Sequence, residues 1–109
     1  MRVKKFLRIL KDIQKQEIDI IINKSHDYAN KENIFSNFEI VSKIVGCNPE
    51  IVFLTMIGIK IARLSELLTN KKVPKNEAIE DTILDMRNYL GLLYGFLKNN
   101  KKGEKNEKS

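Results

Sequence analysis

The sequence predicts an all-α protein, a small bundle of about four helices, and three observations predict it. Apolar residues recur every three or four positions along most of the chain and nowhere alternate as in a strand. Helix-stopping and helix-starting signals, Gly46, Asn48-Pro49 and Asn76, fall between those runs. The 109 residues have room for one domain, expected over 1–97, with a modest core that oligomerisation commonly supplements.

The first helix is expected over about residues 3–23. Phe6, Ile9/Leu10, Ile13 and Ile20/Ile21 recur near helical spacing, while Lys4, Lys5, Lys11, Lys15 and Asp19 take other faces. The dense Ile18–Ile22 run predicts that this end is enclosed on several sides. The polar stretch from Asn23 to Asn33 follows, rich in Asn, Asp and Ser that compete with helix for backbone hydrogen bonds. It predicts a loop, the kind of segment that carries binding groups. It also holds the lone histidine, His26, with Asp27 and Tyr28 beside it.

A short helix is expected over ~34–45, with Phe35, Phe38, Val41 and Ile44/Val45 inward and Gly46 as its left-handed end. Asn48 as cap, Pro49 at the first position and Glu50 in the first turn start a third helix, ~49–69. Residues 70–75 read as a loop. Asn76 can cap the last helix, ~77–97, whose expected apolar seam is Ile79, Ile83, Met86, Leu90, Leu93 and Leu97. From Lys98 onward no apolar residue occurs, which predicts a disordered basic tail.

Charge and cysteine narrow the function classes. The net charge of +6 is carried by the ends: residues 1–24 carry +4, 98–109 carry +3 and 25–97 carry −1. Basic ends with only Phe6 near them are a solvating pattern, so nucleic-acid binding is not expected. The single Cys47 excludes an intramolecular disulfide and a cysteine-rich metal site. No apolar run is long enough to span a membrane and no signal-peptide pattern opens the chain, which predicts a soluble cytoplasmic protein.

Two groups of charges stand out. On the third helix Lys60 and Arg63 project into the arc that holds Val52, Phe53, Met56, Leu64 and Leu67, not onto the polar side. Cations there need partners. On the last helix Glu77, Asp81, Asp85 and Asn88 share a face, and stacked acids repel unless a positive charge sits opposite. A purely structural network between the two helices satisfies both. So does a site in which the cations take an anion, most simply phosphate, which Arg grips as a fork and Lys as a point charge. Farther along the last helix Tyr89, Leu92 and Phe96 lie on or beside the acid face, so the helix is apolar on most sides. This predicts a homo-oligomer joined near Leu90, Leu92, Tyr94 and Phe96.

His26-Asp27-Tyr28, Asn33, Phe35-Ser36-Asn37-Phe38, Lys60-Ile61-Ala62-Arg63-Leu64 and Glu77-x-x-Glu80-Asp81-Thr82-x-x-Asp85-x-x-Asn88-Tyr89 together resemble the nucleotide modification associated domain family. These are small all-α proteins of phages and prophages, and the resemblance spans roughly residues 20–95. It implies nucleotide chemistry in an infected or lysogenic bacterial host, and not an established reaction. The last helix is also similar to the second metal-binding helix of MazG-type nucleotide pyrophosphohydrolases. The facing helix departs from that pattern, with Lys60 and Arg63 where those enzymes carry acids.

The expected function is therefore a phage-type protein that binds and sequesters a nucleotide or cyclic oligonucleotide signal of anti-phage defence, without hydrolysis and without a cofactor. Lys60 and Arg63 would take phosphates, with Asp81 and Asp85 positioning them. Tyr28, and either Phe38 or Tyr89, would stack on a base. His26, Asn33, Asn37 and Asn88 would complete the ligand site. The alternative is a Mg²⁺-dependent pyrophosphohydrolase, or an accessory protein of base modification, with the ion on Glu77, Asp81 and Asp85.

Overall fold

Glycine at a left-handed turn, proline at a first helical position and polar breaks between apolar runs divide the described residues into four helices. They are α1 (Val3–Ser25), α2 (Ser36–Val45), α3 (Pro49–Thr69) and α4 (Asn76–Lys108). This computed structural model describes residues 1–26, 32–70 and 76–108, of which Asn76, Glu77 and 102–108 are described in their backbone only. No strand occurs among the described residues.

The α2–α3 junction follows the sequence signals closely. Gly46 adopts φ 80°, ψ 37°, and its N–H donates to the Ser42 carbonyl at 2.8 Å. A Cβ is disfavoured at that φ, which is why glycine sits there. Asn48 is extended and Pro49 opens α3, although the Asn48 side chain makes no capping bond. Ahead of α2 the Asn33 carboxamide oxygen accepts from the Phe35 N–H at 3.0 Å, an Asx turn that ends the polar stretch.

The core lies where α3 meets α4 and the start of α2. Phe53 is its centre, with no exposed surface, joined by Leu92 and Phe96 of α4. Phe38 stacks on Phe53 with ring centroids 4.2 Å apart. Phe35 meets Phe53 and Phe96 edge-on, at 6.5 and 5.4 Å. Such ring pairs contribute about 0.5–1.5 kcal/mol each beyond their area.

Several expectations are corrected. No residue of α1 is buried, and Ile18 and Ile22 are exposed, because α1 lies along α4 alone and only Ile21 reaches the core. Val41, Ile44 and Val45 are exposed as well: α2 meets α3 with its first turns, and in its second half it is Ser42 that is buried. On α4 the expected seam is displaced. Ile83, Leu90 and Leu97 are exposed, whereas Thr82, Asn88, Leu92 and Phe96 are buried. The ring cluster around Phe53 needs large partners, and Tyr89, Leu92 and Phe96 supply them. Leu92 and Phe96, expected between subunits, are therefore core residues of one chain.

The end of α4 differs too. Its backbone stays helical to Lys108, where the sequence predicts a helix ending near 97 and a disordered tail. No proline interrupts 98–108, and Lys and Glu are good helix formers. Asn76, expected as a cap, is instead the first helical residue. No helix among the described residues is long and apolar enough to cross a membrane.

Candidate functional site

The α3–α4 seam sets the geometry of the expected site. Lys60 lies between Ile57 and Leu64 on the side of α3 that faces α4, and Asp85 comes from the middle of α4. Their charges meet, Lys60 Nζ to Asp85 Oδ2, at 3.0 Å, with about a quarter to a third of each side chain exposed. The pair is thus half-buried at the edge of the seam, with Coulomb attraction only partly screened by water.

Arg63 departs from the expectation of a buried cation. It is exposed and makes no ion pair among the described residues. The cause is the length of α2. Val52 and Arg63 share a face of α3, being eleven residues apart, about three turns. α2 covers the Val52 end and does not reach the Arg63 end, so all three buried residues of α3, Val52, Phe53 and Ile57, fall in its first half. Asp81 is also exposed, one turn before Asp85.

Asn88 is buried, with 7% of its surface exposed, and its side-chain nitrogen has no hydrogen-bond partner among the described residues. An unpaired buried donor costs about 1–3 kcal/mol. Asn88 follows Asp85 by one turn on α4, so their Cβ atoms are about 5–6 Å apart. It also lines a cavity of about 310 Å³ between α1, the segment before α2 and α4, whose walls include Ile18, Ile21, Phe35 and Gly91. At Gly91 a Cβ would meet nothing within 4 Å, so the cavity owes part of its room to that missing side chain.

The remaining expected residues are not brought to this pair. Tyr89 is half-buried and meets Phe38 edge-on at 6.3 Å, as part of the aromatic cluster. The Asn33 amide group donates to Glu39 at 3.5 Å and its oxygen is taken by the Asx turn, so its role is local. Asn37 is exposed on α2, and His26 is exposed at the end of α1, its backbone N–H donating to Asn23. Tyr28 and the side chain of Glu77 lie outside the described residues. Among the described residues no three His, Cys, Asp or Glu side chains are grouped to hold a metal ion.

A second ion pair was not anticipated from the sequence: Glu17 of α1 with the Arg87 Nε of α4, on the rim of the same cavity. Glu17 precedes an isoleucine-rich run and Arg87 follows the acids, so each reads as a solvated charge, and only the packing of α1 on α4 brings them together. Comparison with protein-family models, with curated proteins and with solved structures returns no match.

Proposed function

We propose that the protein binds a nucleotide through its phosphates on the Lys60–Arg63 face of α3, without hydrolysing it. The observation that carries the reading is an oriented cation beside one that makes no ion pair among the described residues. Asp85 takes one of the donors of Lys60, leaving others for a ligand, and Arg63 one turn on presents a guanidinium fork that no described residue engages. The same observation disfavours the Mg²⁺ alternative, because Asp85 is engaged by a cation that would repel a metal ion at that carboxylate. Asn88, one turn from Asp85, supplies a donor without a partner, and an acceptor on a base would recover its desolvation cost.

The resemblance to the nucleotide modification associated domain family takes the reading from phosphate to nucleotide. In that setting the role would be sequestration of a cyclic nucleotide signal of anti-phage defence. The protein would act as a homo-oligomer, a reading supported by twenty large apolar side chains left exposed among the described residues, against five buried ones.

Calorimetry with mononucleotides and cyclic di- and trinucleotides tests the ligand reading. The expected result is binding tighter than millimolar, with the ligand recovered intact, weakened at least tenfold by Arg63→Ala. Absence of binding across the panel overturns it. Mg²⁺-dependent release of pyrophosphate, abolished by Asp85→Ala, replaces it with the hydrolase.

A further inference from the structure

Two series of residues on α3 are spaced by seven. Leu54, Ile61 and Leu68 form one, and Ile51, Gly58 and Ser65 the other. Offset by three, they are the a and d positions of a heptad pattern sustained over about five turns. All six are exposed, Ile61 by 52% and Leu68 by 63%. The stripe they make is rotated by about 110° from the one that packs on α4. Beside it run Thr55, Ala62 and Thr69, so the face carries no charge from Ile51 to Thr69.

The two threonines beside the face are also prepared to lose their water. Thr55 Oγ1 donates to the Ile51 carbonyl at 2.7 Å, and Thr69 Oγ1 to the Ser65 carbonyl at 2.7 Å. Both hydroxyls are satisfied within the helix, so burying them leaves no donor stranded.

The surface area of the whole chain calls for such a burial. A folded monomer of 12.7 kDa is expected to expose about 6,200 Å². The chain exposes 8723 Å², an excess of about 2,500 Å² over that expectation. Its radius of gyration, 16.6 Å, compares with about 13 Å for a compact chain of this length. The polar end of α4 contributes to both, yet every one of the exposed large apolar side chains lies at or before Leu97. Obligate dimers bury about 2,000–5,000 Å² in total.

We infer that the outer stripe of α3 is a self-association surface, on which α3 of a second copy packs antiparallel about a two-fold axis between residues 59 and 60. The large and small residues select this occupant. In that register every layer sets a large side chain against a smaller one or an apolar partner: Leu54 against Ser65 of the second copy, Ile61 against Gly58 of the second copy, and Ile51 against Leu68 of the second copy. The two-fold repeats each layer, so one helix face is complementary to itself, as an isologous interface requires. Gly58 is the hole into which Ile61 fits: within the chain a Cβ there meets nothing within 4 Å. This inference rests on the reading of the protein as an oligomer and is independent of the ligand.

Sedimentation equilibrium of the full chain at tens of micromolar is the test. The wild type is expected at twice the monomer mass, and both Ile61→Glu and Gly58→Leu at the monomer mass with unchanged helical circular dichroism. Gly58→Leu is decisive where Ile61→Glu impairs folding, because leucine is a better helix former than glycine and has room within its own chain. A second arm reads the direction. In a Cys47→Ser background, Ile61→Cys should form a disulfide-linked dimer on oxidation and Leu54→Cys should not, its copies being about 16 Å apart along the axis. A monomeric wild type sinks the oligomer reading itself. An oligomeric wild type that both variants leave intact sinks only this surface. Crosslinking at both cysteine positions, or at neither, overturns the antiparallel packing.

Discussion

Within α3, the stripe through Phe53, Ile57, Lys60 and Leu64 and the stripe through Leu54, Ile61 and Leu68 differ little in hydrophobicity but sharply in fate. The first packs on α4 and includes a charged residue. The second is free of charge and faces outward. The difference teaches that burial within this chain is decided by shape and by ring partners before it is decided by polarity. Phe53 is fully enclosed because Phe35, just ahead of α2, Phe38 of α2 and Phe96 of α4 converge on it. Leu54, one residue on, is left 54% exposed. Lys60 is tolerated in the inner stripe because Asp85 is opposite and water still reaches both.

The contrast can be broken most forcefully at its centre. Phe53→Ala should lower the unfolding free energy by about 3–5 kcal/mol, read by urea denaturation, because the surrounding rings cannot collapse into the space. A smaller loss, about 1–2 kcal/mol, is expected for Gly46→Ala, which forces a Cβ into the left-handed turn between α2 and α3. Asp85→Leu alone should cost about 1 kcal/mol by leaving Lys60 unpaired, and adding Lys60→Met should recover most of it. A double variant clearly less stable than the wild type would show that the pair contributes net stability. At the outer stripe Leu54→Ala should change stability by less than about 0.5 kcal/mol in dilute protein, with a cost that grows as concentration rises. A cost that is large and independent of concentration would place Leu54 in the core of a single chain.

Particular residues show what was legible beforehand. Gly46, Asn48 and Pro49 mark the α2–α3 junction because their constraints are local: a left-handed φ, an extended cap position and a ring that fits a first turn. The meeting of Lys60 with Asp85 was legible because a cation between apolar neighbours needs a partner and the last helix carried the acids. Arg63 was misread for a reason outside its own helix, the ten-residue length of α2, which leaves that end of α3 uncovered. The seam of α4 was misread because its apolar residues nearly encircle the helix, so periodicity offers several faces and only the ring cluster selects one. Glu17 and Arg87 are seventy residues apart, and nothing local to either announces the pair.

Helical periodicity, capping and glycine or proline geometry act within a few residues, so the all-α class, the four described helices and the junction between α2 and α3 can be read from the chain alone. The sequence offered the pairing of an acid of the last helix with a cation of the third as one of two readings. Only the tertiary structure decided which faces meet. It put Leu92 and Phe96 in the core, left α1 with no buried residue and opened the cavity beside Asn88. It turned the heptad stripe of α3 outward as well. Those outcomes depend on how long each helix is and which large side chains can reach one another, and these are properties of the packed whole.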